Sequence, residues 1–422
     1  MTELQILSVV IFLVTMFAIM TERVHRSVAA LSGAVLLVIF HVLSAKQGIE
    51  AVDFNTIGVL MGMMIFVAVV KQSGIFEYIA IKSAKLSRGR PWIIMVVFMF
   101  ITAVLSAFLD NVTTVLLVGP MTIAVTGILE LNPIPFLMTQ IMSSNIGGTA
   151  TLIGDPPNIM IGSAANFSFL DFIINTGATV LVVLSLFVIL FYFIYGRHLK
   201  VNSEKMEKIM NLDEKKAIKS KSLMVKSIII MIAVVLAFMF HDTIQMESSM
   251  IALTAAVIML LIGKQDPEDI ILSVEWSTIL FFIGLFVVVG GLKDTGVIQM
   301  LANGLLGVTK GHQIITMVVI LWISAVVSGF LDNIPFVATM IPIILTMQSS
   351  GMVVEPLWWA LSLGACLGGN GTLVGASANV VLSDISKKNG YPITFAYYLK
   401  RGFPLMIVSI SIATVFLIIK FN

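Results

Sequence analysis

The sequence predicts an all-α polytopic membrane protein: two inverted-topology repeats of about five crossing helices each, interrupted by re-entrant hairpins and discontinuous helices. Three observations predict it. First, 58% of the 422 residues are apolar and only 11% are charged, against about 25% charged in an ordinary soluble chain, so a water-soluble domain of this composition could not cover its own surface. Second, apolar runs recur at about the 20-residue length that crosses a bilayer as helix. Third, the chain repeats itself in register. At an offset of 222, Thr56 matches Thr278, Gly62 matches Gly284, Lys71 matches Lys293, Gly74 matches Gly296, and Phe108-Leu109-Asp110-Asn111 matches Phe330-Leu331-Asp332-Asn333. After one deletion the offset is 221, pairing Gly147-Gly148 with Gly368-Gly369, Thr151 with Thr372, Gly154 with Gly375 and Asn158 with Asn379.

Taken in order, hydropathy places helices near 4–21, 27–44, 56–70, 172–196, 227–240, 248–263, 276–292 and 397–419, with longer regions 92–165 and 313–385 broken by polar motifs. The segment starting at Leu4 has neither a basic flank nor a small-residue cleavage site, and reads as a retained helix. Residues 1–196 form the first repeat, with a re-entrant hairpin at 92–129 and a broken helix at 136–165; residues 227–422 form the second, with a hairpin at 313–349 and a broken helix at 357–385. Residues 71–90 and 293–312 carry apolar side chains at helical spacing beside polar ones, the pattern of interfacial arms, hinged near Gly74 and Gly296. Five crossings per half is an odd number, which inverts the second half relative to the first.

Charge sets the orientation. With the N-terminus outside and the basic linker 197–226 cytoplasmic, 21 of the 25 Lys+Arg fall on the inner side, leaving Lys46, Lys293, Lys310 and Lys420 outside. The expected location is a cell (inner) membrane, with lipid as one partner. A net charge of +2 provides no field for nucleic acid, and the lone Cys366 permits neither an internal disulfide nor a thiolate metal cage. Cys366 reads as a small buried residue. No Gly-x-x-x-x-Gly-Lys-Ser/Thr loop is present, and no enzymatic site or resident cofactor is expected; Na+ or H+ would enter as a coupling ion.

The chemistry lies in four motifs. An ionised aspartate at mid-bilayer costs roughly 2.5–3.5 kcal/mol on insertion scales, yet Asp110 and Asp332 each sit within a long apolar stretch and each precede an asparagine. Each Asp-Asn reads as a hairpin tip, where freed backbone groups and helix termini face a polar cavity. The aspartate can bind Na+ or a proton, or cap the following helix. Asn111, Thr113, Thr114 and Asn333 add oxygens. The run from Ser143 to Asn158 holds Ser143, Ser144, Asn145, Gly148, Thr149, Thr151, Asp155 and Asn158; its copy holds Gly369, Asn370, Thr372, Ser377 and Asn379. Glycine and proline break these helices while Ser, Thr and Asn satisfy the freed peptides; paired breaks in an inverted repeat point to a midplane binding site. Tight small-residue packing is the competing reading. The Na+ set, if Na+ is used, is Asp110, Asn111, Asn145, Asp332 and Asn333. Asn145 aligns with Cys366 and Asp155 with Ala376, so the principal cation or proton site is expected in the first half, with Asp110 weighing more than Asp332. No Arg, Lys or His lies in any motif, which leaves an anionic solute only helix N-termini and amides.

These motifs resemble the ion transporter superfamily, which groups arsenite permeases, NhaD-type antiporters and sodium-coupled carboxylate carriers, and within it the P-protein branch. The resemblance rests on Phe108-Leu109-Asp110-Asn111-Val112-Thr113-Thr114, on Ile153-Gly154-Asp155-Pro156-Pro157-Asn158, on Asp332-Asn333-Ile334-Pro335-Phe336 and on the run from Gly364 to Asn379. It implies a scaffold domain, a mobile transport domain, elevator-type alternating access and a homodimer. The expected function is a secondary active transporter moving a small ion or arsenite-like solute, coupled to H+ or Na+ through Asp110 and Asp332. An anion channel or a sodium-coupled carboxylate carrier on the same fold stands as the alternative.

Overall fold

The computed structural model describes residues 1–21 and 23–422, with the backbone alone for Asp242. The chain is helical, with no strand among the described residues. The first half comprises α1 (Glu3–Thr21), α2 (Arg26–Ile39), α3 (Ala45–Glu50), α4 (Phe54–Lys71), α5 (Ile75–Leu86), α6 (Pro91–Phe108), α7 (Asn111–Ile128), α8 (Ile134–Gly148), α9 (Pro156–Ala165) and α10 (Phe169–Ile194). The linker holds α11 (Ser203–Met210). The second half comprises α12 (Lys221–Met239), α13 (His241–Ile244), α14 (Ser248–Gly263), α15 (Pro267–Leu272), α16 (Trp276–Asp294), α17 (Val297–Thr309), α18 (Gln313–Phe330), α19 (Asn333–Ser349), α20 (Glu355–Gly368), α21 (Ser377–Lys388) and α22 (Phe395–Phe421). Apart from α11 and α13, every helix has a counterpart in the other half. Among the described residues, nine helices are long and apolar enough to cross a membrane.

Local chemistry explains where helix ends depart from hydropathy. The stretch 27–44 is helical only to Ile39, because His41 turns at positive φ and Ser44 opens α3 with a reciprocal capping box to Gln47. The box Ser168/Asp171 starts α10 at Phe169, ahead of its apolar run. The Ser220 hydroxyl caps α12, so Lys221 and Lys226, read as linker, are the first turns of a helix. A capping residue decides such ends, and hydropathy averages over it.

The two halves are inverted. Lys420, at the end of α22, donates to Ile174 O at 3.4 Å near the start of α10, while Tyr195, at the end of α10, lies beside Tyr397 and Arg401 near the start of α22. These counterpart helices therefore run in opposite directions. The frame is shared between halves: α4 packs along α14, and α2 along α16. Both contacts depend on glycine. A Cβ on Gly62 would lie 2.5 Å from the backbone of Ala252, and one on Gly284 would lie 2.6 Å from that of Ala30, so the bare glycines let the backbones close up as small residues do in membrane bundles. A second group packs α6 on α8, α18 on α20, α7 on α21 and α9 on α19. Within it α8 and α20 are buried along almost their whole length, and the molecule's polar centre lies at their ends.

The short helices α5 and α17 join the two groups, each opened by a glycine in the left-handed region, Gly74 at φ 79 and Gly296 at φ 80. The linker folds over α5 and the end of α7. Lys85 Nζ reaches Glu214 Oε2 at 2.6 Å, Lys205 Nζ reaches Glu130 Oε2 at 2.6 Å, and Lys219 N donates to Ser73 O at 3.0 Å. Both glutamates are held below the ordinary carboxylate range, first by the hydrogen bond from their lysine. Burial of Ile209 supplies the apolar contact.

Candidate functional site

Each hairpin turns on one extended residue, Leu109 or Leu331, followed by the aspartate as N-cap. Asp110 Oδ1 accepts from Thr113 N at 2.8 Å and Oδ2 accepts from the Thr113 hydroxyl, so both its oxygens serve the start of α7. Asp332 Oδ1 accepts from Ile334 N at 3.1 Å, and Oδ2 accepts from Ser377 Oγ at 2.7 Å. Capping is thus one role of both aspartates. The asparagines that follow turn the other way. Asn111 Nδ2 lies 3.3 Å from Asp155 Oδ1, and Asn333 Nδ2 lies 3.3 Å from both oxygens of Asp155.

The breaks 149–155 and 369–376 close on themselves through equivalent asparagines. Asn158 Nδ2 donates to Thr151 O at 2.9 Å and Gly148 O at 3.2 Å; Asn379 Nδ2 donates to Thr372 O at 2.9 Å and Gly369 O at 2.7 Å. Hydroxyls stitch the surroundings: Thr149 Oγ1 donates to Asn145 O at 2.7 Å, Ser144 Oγ to Asn111 O at 3.2 Å, and Thr151 Oγ1 to Ala107 O. Asn145 joins the halves, its Nδ2 donating to Asn370 Oδ1 at 3.0 Å and Asn379 Oδ1 at 2.9 Å. Cys366 is buried at this junction and donates its thiol to Asn158 Oδ1 at 3.5 Å.

One buried network therefore gathers Asn111, Asn145, Asp155, Asn158, Asn333, Asn370 and Asn379. Asp110 with Thr113, and Asp332 with Ser377, stand beside it at their own caps. Of the Na+ set, the three asparagines lie in the network and the two aspartates outside it. Among the described residues, Thr114 Oγ1, Ser143 Oγ and Asn370 Nδ2 are buried without a hydrogen-bond partner, and no cluster of three or more His, Cys, Asp or Glu could hold a metal.

The expectation that no cationic side chain serves the motifs is corrected. Arg26, at the start of α2, donates Nη1 to Ser377 Oγ at 2.5 Å and Nη2 to Thr278 Oγ1 at 2.9 Å, and stands 3.7 Å from Asp332 Oδ2. Thr278 in turn donates to Glu275 Oε2 at 3.0 Å. In sequence, Arg26 and Glu275 are loop charges flanking apolar runs. The only trace of their place is that the Thr56/Thr278 identity sits at the mouth of a repeated helix.

Cavities lie beside these groups. One, of about 370 Å³, is lined by Met16, His25, Arg26, Asp332, Ser377 and Asp384. Another, about 270 Å³, is lined at the opposite ends of the helices by Asn55, Ile159, Ser163, Asn166, His241 and Ser248. Between the hairpin tips lies a chamber of about 20 Å³, touched by Asp110, Asn111, Asp155, Asn333, Arg26 and Glu275. The tips and breaks thus surround a nearly closed polar centre, and the large spaces flank it.

The citrate transporter family (CitMHS) matches residues 16–364. A 46 kDa membrane protein of Mycobacterium leprae is 40% identical and covers 99% of both chains, and an uncharacterized transporter of Mycobacterium tuberculosis is 38% identical with the same coverage. The P protein of Homo sapiens is 33% identical; the match covers 95% of this chain and 58% of the human one. Among solved structures, the YdaH transporter of Alcanivorax borkumensis, described as having an unusual topology, aligns with a TM-score of 0.60 at 14% identity over 86% of this chain and 85% of that one. That likeness concerns fold alone.

Proposed function

Since the chain belongs to the citrate transporter (CitMHS) family and is a membrane transporter rather than an enzyme, we propose that it is a secondary active carrier. It moves a small ion or arsenite-like solute, coupled to H+ or Na+ through the carboxylates at its centre. The observation that carries this reading is the buried amide network built from both repeats, with Asp110, Asp155 and Asp332 around it and polar atoms inside it that lack partners. An unsatisfied buried donor or acceptor costs about 1–3 kcal/mol, and a bound solute or ion would satisfy it.

The packing supports an elevator-type motion. The α6–α9 and α18–α21 group slides as one transport body against the α2/α16 and α4/α14 frame, with α5 and α17 as arms hinged at Gly74 and Gly296. A proton or cation on the buried carboxylates neutralises them before they pass apolar frame residues, where a bare charge is costly. The linker face is cytoplasmic by the distribution of basic residues, and a homodimer would give the moving body a fixed frame.

Arg26 favours a second reading for the solute. Among the described residues it is the one cation in hydrogen-bond contact with the site, it lines a cavity of about 370 Å³, and its ion pair with Asp332 is loose at 3.7 Å. A carboxylate could displace Asp332 from it, since guanidinium matches carboxylate geometry. Purified protein in liposomes, screened for gradient-driven uptake of arsenite, chloride, Na+, Li+, citrate and smaller carboxylates, separates the two. Saturable, gradient-dependent flux is expected; single-channel conductance without a coupling ion would overturn the carrier.

A further inference from the structure

We infer that Asp155, rather than either tip aspartate, carries the coupling proton, and that its protonation decides how the two hairpin tips are tied together. The inference rests on the carrier reading and assigns its coupling group. Asp155 immediately precedes α9, is fully buried, and accepts from the side-chain amides of Asn111 on one tip and Asn333 on the other. Among the described residues it is the one acid that accepts hydrogen bonds from both hairpin tips. The tip aspartates are occupied otherwise: Asp110 serves its own helix start, and Asp332 serves Ile334, Ser377 and Arg26.

The ionisable groups facing Asp155 are Asp110 and Asp332 from the tips, Cys366 from α20, and Arg26 and Glu275 across the small chamber; α4 contributes only Leu60 and Met64 there. Acids predominate, and the guanidinium of Arg26 is bonded to Ser377 and Thr278 instead. A buried carboxylate with neutral amide partners has no counter-charge and is relieved by binding a proton. Asn111 and Asn333 present N–H groups to it, which suit a carboxylate and leave no cage of oxygens for Na+. A chamber of about 20 Å³ beside it has room for about one water, through which a proton can arrive.

The step balances simply. Water in the vestibule open at that moment gives a proton to a carboxylate oxygen of Asp155, and water in the other vestibule receives it after the body has moved. The protonated oxygen becomes a donor. With the proton on Oδ2, the oxygen that Asn333 alone contacts, Asn333 can turn its carbonyl toward it while Asn111 keeps its N–H on Oδ1, so one tip is held by N–H and the other by C=O. In the second repeat the equivalent position is Ala376, so the site supplies one proton per chain per cycle.

Infrared pH-difference spectroscopy on the purified full-length protein tests this without any transported solute. The wild type should show one buried carboxylic acid, deuterium-sensitive, that is lost in Asp155→Asn and retained in Asp110→Asn and Asp332→Asn. The chain has a single cysteine, so the S–H stretch belongs to Cys366, whose thiol is bonded to Asn158 Oδ1 and faces Asp155; it should shift with pH in the wild type and stay still in Asp155→Asn. Asp155→Glu should restore a shifted carboxyl band and serves where the asparagine variant is not monodisperse. A carboxyl signal that survives in Asp155→Asn, or that vanishes in Asp110→Asn, overturns the assignment. Failure of the carrier reading would show separately, as a wild type with this spectrum and no coupled flux in liposomes.

Discussion

Asn145 is the residue on which the two repeats meet. Its amide donates to Asn370 and Asn379 across the interface, and the equivalent position in the other repeat is Cys366, which cannot reciprocate. Interhelical hydrogen bonds in membranes average about 0.6 kcal/mol, but removing this donor strands two buried acceptors at about 1–3 kcal/mol each. Asn145→Ala should therefore lower the melting temperature in detergent clearly more than Thr113→Ala, whose loss leaves the Asp110 carboxylate its backbone donor at the tip. Equal melting temperatures would remove Asn145 from this role. The sequence marks Asn145 as unusual through its asymmetry with Cys366, but not its partners, which lie more than 200 residues away along the chain.

Helices carry the next level of argument. Because Gly62 and Gly284 face backbone at 2.5 and 2.6 Å, Gly62→Ala and Gly284→Ala should each force α4 from α14 or α2 from α16, lowering stability in parallel. Gly304 in α17 has nothing within 4 Å of a Cβ, so Gly304→Ala should be neutral or gain up to about 1 kcal/mol of helix propensity. A thermal melt of the three variants tests the pattern, and a harmless Gly62→Ala would contradict the close packing. The linker offers a pH test. Glu130 and Glu214 are depressed by Lys205 and Lys85, so their contribution is present above the ordinary glutamate value of about 4.3 and is lost as pH falls through the depressed value. Limited proteolysis within α11 should accelerate only below that range; acceleration near neutrality would mean the ion pairs do not hold it. Surface pairs contribute little individually, so Lys205→Ala alone should change cleavage only slightly. Helix existence here was legible from hydropathy and repeat register. Helix starts at Phe169 and Lys221 were not, because one capping side chain decides each, nor was the end at Ile39, which is set by the left-handed turn at His41.

At the scale of the whole molecule the inverted repeat lets one state describe the other. Arg26 donates both to Thr278 at the start of α16 and to Ser377 at the start of α21, while at the opposite mouth Asn55 donates to Ser163 at 3.3 Å, near the end of α9. In the carrier reading the body then lies toward the Arg26 mouth, and exchanging the roles of the repeats would put Ser248 and Thr56 against Pro156 in the alternate state, with no cation where Arg26 stood. Arg26 would then stabilise one side only. In the carrier reading, Arg26→Gln should shift the population: a cysteine at Asp384 should lose reactivity toward a thiol reagent, and one at Ser163 should gain it. The lone Cys366 is buried and adds little background. Unchanged labelling at both positions would show that Arg26 does not bias the body.

By itself the sequence determined the membrane class, the duplication, the inversion and the four motifs, because composition, register and an odd number of crossings are properties of the chain read in order. The Asp-Asn tips and glycine-rich breaks stood out for the same reason: each is a local fault in a helix that lipid would not tolerate unsatisfied. Only the tertiary structure decided which side chains share a site. It set Asp155 between Asn111 and Asn333 and brought Arg26, at the start of α2, to Ser377. Those contacts join residues 44 to 351 positions apart, and periodicity reports only which face of its own helix a residue occupies, whereas the packing of inverted halves determines what that face meets.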